Sequence, residues 1–178
     1  MTNLLKDISP GDNPPEKINV IIENTKGQKN KFEYDKRGFF KLDRTCYSPF
    51  AVPFEYGFIP QTESGDGDSL DVVLLVTHPT FPGCLVKSRP IGLFLMEDEA
   101  GEDNKIVAVP DDKVDPRFKE IRDVKDLGQH LKDEIAVYFA DYKKLEKEKY
   151  KHVKVKGWTG RKEAEKIIEK AVKKYQKK

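Results

Sequence analysis

Apolar and polar residues alternate along the first two thirds of the chain with the two-residue period of half-buried strands. Ile18-Asn19-Val20-Ile21-Ile22-Glu23 and Lys31-Phe32-Glu33-Tyr34-Asp35 begin the pattern. Side chains two apart share one face of a strand, so such runs predict sheet. These two runs read as neighbouring strands with Gly27 at the turn between them, and Gly38 separates the second from Phe39-Phe40-Lys41-Leu42-Asp43-Arg44. Further strands are predicted at Tyr56 to Pro60, Leu70 to Thr77, Cys84 to Met96 with an interruption at Pro90, and Lys105 to Val109. Turn signals lie between them at Ser64-Gly65-Asp66-Gly67, Pro79 to Gly83 and Ala100-Gly101.

After Pro116 the period lengthens. Leu127, Leu131, Ile135, Tyr138, Tyr142 and Leu145 recur three and four residues apart, which predicts an amphipathic helix of about five turns. His152 to Trp158 predicts one more strand. Ala164, Ile167, Ile168, Ala171, Val172 and Tyr175 mark a terminal helix with Thr159 as its cap. No repeat or linker divides the pattern, so residues 1–178 are expected to form one domain. The expected class is α+β: a small closed or highly curved antiparallel β-barrel, OB-like, with two main helices packed against it.

Composition narrows the function. A chain of 178 residues buries about 70% of the surface its unfolded form exposes, so it needs no staples. Cys46 and Cys84 have no metal or redox spacing and are expected to be small buried or half-buried residues. The 33 basic residues nearly balance the 31 acidic ones, which gives no overall attraction for nucleic acid or an anionic membrane. No run approaches the roughly 20 apolar residues of a membrane span. A cytoplasmic protein without membrane or nucleic-acid partners is the expectation.

The placement of the acids is more informative. Asp66-Gly67-Asp68-Ser69-Leu70-Asp71 puts three carboxylates at the mouth of the apolar run Val72 to Val76. Carboxylates so close repel one another, and a hard divalent cation with oxygen ligands relieves that cost. A calcium-binding EF-hand loop is excluded, because Leu70, Asp71 and Thr77 fall where it needs a ligand, a glycine and a glutamate. Glu97-Asp98-Glu99-Ala100-Gly101-Glu102-Asp103 places five more acids between two apolar runs, again at strand ends. Taken singly, each cluster reads as well as a solvated turn; together they can face each other and hold several metals. Lys105, just beyond, suits a phosphate ligand. His78, His130 and His152 share no ligand spacing.

These residues resemble the soluble, Mg-dependent inorganic pyrophosphatases of barrel fold, in their prokaryotic form. The resemblance rests on Glu23, the K-F-E-Y-D stretch from Lys31, Asp43-Arg44, E-Y-G-F-I-P around Tyr56, D-G-D-S-L-D, D-E-A-G-E-D-N-K from Asp98, and D-Y-K-K-L-E from Asp141. The chain departs from the family pattern at Ser69, where proline is usual, and at Val52, where bacterial members often carry a phosphate-contacting tyrosine.

The resemblance implies hydrolysis of pyrophosphate to two phosphates by a metal-activated water, with Asp68 as general base. It implies Mg²⁺ as cofactor, several ions per site, held by Asp66, Asp71, Asp98, Asp103 and Glu33. Lys31, Arg44, Tyr56, Lys105, Tyr142 and Lys143 would bind substrate, and Glu23 and Glu99 would support them. A homo-oligomer, hexameric by analogy, is expected. The alternatives are an OB-like nucleic-acid-binding module and a phosphohydrolase acting on a related phosphoanhydride. The absence of G-x-x-x-x-G-K-[ST] and G-x-S-x-G motifs indicates neither a P-loop nucleotidase nor a serine hydrolase.

Overall fold

A computed structural model describes residues 2–65 and 67–177. Its centre is a mixed sheet in which five strands form a closed circuit of hydrogen-bonded neighbours. β1 (Ile18–Asn24) pairs at its end with β4 (Glu55–Ile59), which pairs with β5 (Leu70–Leu74). The long strand β6 (Leu85–Asp98) runs from β1 to β8 (Lys105–Pro110), and β8 closes the circuit against β5. A short β7 (Gly101–Glu102) lies at the β6–β8 turn, and β9 (Lys154–Gly160) pairs with the outer part of β6.

The β5–β8 pairing is parallel, so the all-antiparallel expectation is corrected. β6 does not return beside β5 but crosses to β1. The turn after β6 then brings β8 into the gap, antiparallel to β6 and therefore parallel to β5. The apolar run that follows the acids is buried on both faces, as a strand flanked on both sides requires. Val72 and Leu74 join one core with Ile18, Val20, Ile106 and Ile168; Val73 and Leu75 join the other with Phe94, Val107, Ile135 and Phe139. Each such side chain taken fully from water contributes about 1.5–3 kcal/mol before the entropy of ordering it. Gly57 is required where β4 crosses β1, since a Cβ there would lie 1.9 Å from the Ile21 carbonyl oxygen. Pro90 does not interrupt β6; a bulge between Pro90 and Gly92 absorbs it.

β2 (Asn30–Asp35) and β3 (Phe39–Thr45) form a separate two-stranded sheet. The predicted pairing of β1 with β2 is therefore corrected. Both edges of β1 are already taken, by β6 along Ile18 to Ile21 and by β4 along Ile21 to Asn24. The hairpin is tied to β1 by side chains instead. The Asn24 side chain accepts from the Phe32 N–H at 2.7 Å and donates to the Phe32 carbonyl at 3.0 Å, while Glu23 accepts from the Tyr34 N–H at 2.7 Å. From below, Glu55, fully buried, fastens two loops by accepting from the Lys26 N–H at 2.9 Å and the Thr80 hydroxyl at 2.6 Å.

Three helices accompany the sheet: α1 (Gln129–Asp141), the single-turn α2 (Lys147–Tyr150) and α3 (Arg161–Tyr175). α1 is shorter than the apolar period suggested. Leu127 is buried in the 3₁₀ turn ahead of it, and Leu145 lies exposed beyond it. Thr159 does not cap α3, because it is committed to β9 opposite Leu93. Gly160 takes the cap position and the Arg161 N–H donates to Asp123 Oδ2 at 3.0 Å. No helix of the described residues is long and apolar enough to cross a membrane. Cys46 and Cys84 are free and half-buried.

Candidate active site

Strand register explains how the acids meet. Asp71 is two residues before Val73 and Lys105 two before Val107, so all four share one face, and the parallel Val73–Val107 register sets Asp71 beside Lys105. The Lys105 ammonium lies 2.6 Å from Asp71 Oδ2 and also donates to Asp103 Oδ1. A second bracket forms where α1 ends. The Lys143 ammonium, almost fully buried, lies 3.0 Å from Asp98 Oδ2 and 2.8 Å from Glu99 Oε2. Each ammonium marks a point where paired carboxylates favour a cation.

The β2–β3 hairpin faces these brackets with the opposite charge. Lys31 and Arg44 are directly paired across the hairpin. Lys31 lies 2.7 Å from Glu33 Oε1 and 3.5 Å from Asp43, while Arg44 reaches Asp43 at 2.5 Å and Glu146 at 3.4 Å. Arg44 Nε is buried and has no hydrogen-bond partner among the described residues.

Between the hairpin and the brackets lies a cavity of about 230 Å³. Of the residues singled out from sequence, its wall contains Lys31, Arg44 and Tyr56, the acids Asp71, Asp98, Glu99 and Asp103, and Lys105, Tyr142 and Lys143. Glu33 stands behind Lys31 and Glu23 beneath the hairpin, off the wall. Asp68 is also off the wall; its side chain is exposed and lies 2.9 Å from the Lys36 ammonium. Asp66 lies outside the described residues.

Asn24, Asn30, Cys46, Lys149, Phe54, Tyr138 and Phe139 complete the wall, together with Val52. The sequence flagged Tyr138 only as part of an apolar stripe. For Asn24 the available signal was an asparagine ending a mostly apolar strand.

Burial shapes the charges. Burial alone would lower the Lys105 and Lys143 ammonium pKa values, yet both rise: Asp71 and Asp103 outweigh it at Lys105, and Tyr142 together with Glu99 and Asp98 outweighs it at Lys143. Burial opposes ionisation of Glu99 as well, but the hydrogen bond from Lys143 takes its carboxyl down to about 2. Asp103 goes the other way: burial raises it, Lys105 pulls it back, and Asp71 and Asp98 push it up again. Burial also pushes up the Tyr56 and Tyr142 phenols. A carboxyl that resists ionisation between two others is short of positive charge, and a divalent cation supplies it.

Among the described residues no group of three acidic, His or Cys side chains converges as a metal cage. Two carboxylates with open space beside them do suit magnesium, which takes one or two carboxylates and leaves its remaining positions to water and phosphate. The donor set of Asp71 and Asp103 therefore fits that ion.

The chain is similar to proteins of one family. A family profile described as inorganic pyrophosphatase matches residues 20–176. The inorganic pyrophosphatase of Sulfolobus acidocaldarius is 47% identical over 167 residues, covering 93% of this chain and 95% of that one. That of Aquifex pyrophilus is 42% identical over 173 residues, covering 97% of each. The crystal structure of inorganic pyrophosphatase from Thermus thermophilus superposes with a TM-score of 0.93 at 40% identity, over 98% of this chain and 99% of that one.

Proposed function

Since the chain belongs to the inorganic pyrophosphatase family and supports inorganic diphosphatase activity on that ground, we propose that its cavity hydrolyses pyrophosphate with Mg²⁺ and with Asp68 as general base. The observation that carries this reading is the wall itself: two pairs of carboxylates at strand ends face a basic hairpin across a space large enough for a small polyanion. The described wall holds the basic residues Lys31, Arg44, Lys105, Lys143 and Lys149 and the acids Asp71, Asp98, Glu99 and Asp103, close to balance. A bare polyanion gains little from a balanced wall, and a nucleic-acid strand less still; a polyanion accompanied by divalent cations matches it.

Asp66, Asp71 and Asp103 would hold Mg²⁺, with Asp98 sharing a further ion with Asp103, and Glu33 helping with the last. When bound, the metal supplies neutralisation of the phosphoryl oxygens and acidifies a water. The protein's own residues do the rest. Lys31 and Arg44 hold one phosphate from the hairpin side; Lys105, Lys143, Tyr142 and Tyr56 hold the other from the sheet side. Charge that spreads over equatorial oxygens in the transition state meets these donors already in place. Asp68, three residues before Asp71, would accept the proton of the attacking water once its carboxylate turns from Lys36 toward the cavity, and Glu23 and Glu99 fix the backbone and Lys143 around the site.

The circuit of strands is read as a small OB-like barrel, and the family resemblance supports a cytoplasmic homo-oligomer, a hexamer; light scattering on the purified protein measures that state.

Asp68→Asn tests the mechanism. Turnover should fall by about 100-fold or more, the scale of a lost general base, with the thermal midpoint unchanged. Wild-type turnover in the folded variant removes Asp68 from the mechanism. Comparing kcat/KM for pyrophosphate, tripolyphosphate and a nucleoside triphosphate ranks the substrates; a preference for the nucleotide would favour the related phosphohydrolase instead.

A further inference from the structure

Tyr138 stands apart from the other aromatic residues around the cavity. Its ring is fixed on three sides: parallel to Tyr142 with centroids 5.1 Å apart, and edge-on to Phe54 and to Phe139 at 5.4 Å each. The residue is only 8% exposed, yet its hydroxyl neither gives nor receives a hydrogen bond among the described residues. The hydroxyl is not among the buried unpaired atoms of the described residues, so the exposure that Tyr138 keeps includes its oxygen, which is open to a partner from outside. Tyr138 belongs to the cavity wall, and the charges its oxygen senses are those of Cys46, Tyr142 and Arg44, all wall residues. The hydroxyl end is thus the end at the cavity.

Arg44, on the same wall, carries a buried Nε without an acceptor among the described residues. Val52, on the same wall, brings no polar side-chain atom. A hydroxyl open to the cavity and without a partner among the described residues calls for an acceptor that comes from outside the chain. Burial pushes the phenol pKa up, so the group remains a donor throughout the physiological range.

We propose that Tyr138 is a substrate-binding residue whose hydroxyl donates to a phosphoryl oxygen held by Arg44. This rests on the pyrophosphatase reading of the cavity and adds a third phenol to the neutral donors Tyr56 and Tyr142. A neutral donor holds an oxygen in place without adding to the positive charge that a departing phosphate must leave behind.

The test is Tyr138→Phe, which removes one oxygen and keeps the ring stack. Val137→Ala, exposed on the same helix, is the control and should match wild type. With Mg²⁺ present and well below the unfolding midpoint, kcat/KM for pyrophosphate should fall about 10-fold in Tyr138→Phe, chiefly through KM. Binding of methylenediphosphonate, a non-hydrolysable analogue, should weaken by a similar factor in calorimetry. Unchanged analogue binding and kcat/KM in the folded variant overturn the proposal. So does a fall in thermal midpoint with analogue affinity intact, which would make Tyr138 a core residue only. If wild type binds the analogue but does not hydrolyse pyrophosphate, the functional reading fails while the comparison of wild-type and variant binding still decides Tyr138.

Discussion

The two walls of the cavity are built in opposite ways. β5 and β8 are buried along almost their whole length, whereas β3 is exposed or half-buried throughout. The first wall holds Asp71 and Lys105 on strands locked into the closed circuit, with Asp103 in the turn that enters β8. The second holds Lys31 and Arg44 on a two-stranded sheet that shares no ladder with the circuit and is fastened to β1 through Asn24 and Glu23. Carboxylates that repel one another need a backbone that cannot yield, since each would otherwise drift apart and lose the shared cation. Basic residues that grasp a substrate tolerate a support with some freedom, because the substrate itself pulls them together. The difference teaches that rigidity is placed where charge is least comfortable.

Substitutions on the two walls should therefore behave differently. The largest effect is expected from Asp71→Asn on the rigid side: activity roughly 100- to 1,000-fold lower and a Mg²⁺ activation curve moved to higher concentration, with folding intact. An unchanged metal titration would remove Asp71 from the metal site.

The seam between the walls gives a pH signature. Burial, eased by the Tyr34 N–H and raised again by Asp71, holds the Glu23 carboxyl at about 7 against an ordinary 4.5; Lys31 and Glu33 also face it. Between those values the folded chain keeps a proton that the unfolded chain has released. Stability of the metal-free protein should accordingly decline as pH rises through that window and level off above it, by less than about 3 kcal/mol. Denaturation in EDTA from pH 4.5 to 8 checks this, and Glu23→Gln should remove the slope. A slope that persists in the variant would assign it to other groups.

A smaller effect is expected from Asn24→Ala, which leaves the Phe32 N–H and carbonyl without their partner. We expect a loss of roughly 1–2 kcal/mol, faster amide exchange confined to the hairpin, and a KM raised more than kcat is lowered. Uniform exchange across β5 and β8 as well would contradict a hairpin held independently of the circuit.

How much of this was legible in the sequence follows from which interactions are local. Alternation located the strands, because burying one face of a strand imposes its own period. The parallel partner of β5 was not legible, since a period of two is the same for either direction of pairing. β2 was assigned to β1 because they are adjacent in the chain, and the sequence does not reveal that β4 and β6 already occupy both edges. The acids at strand ends were legible as a site, and the structure brings Asp71, Asp98, Glu99 and Asp103 to one cavity. The clamp at Asn24 and the unpaired hydroxyl of Tyr138 were not, because each is defined by groups distant in sequence: the Phe32 backbone in one case, Arg44 and Cys46 in the other.

The central claim is that paired carboxylates on the rigid wall load the cavity with divalent cations so that it can cleave a small polyanion. Phosphate release from pyrophosphate by the purified protein, with Mg²⁺ titrated from zero and then withdrawn by EDTA, measures it directly. The account predicts no release without metal, rapid release with it, and loss again on chelation; release that ignores the metal, or none at any Mg²⁺ concentration from folded protein, would contradict it.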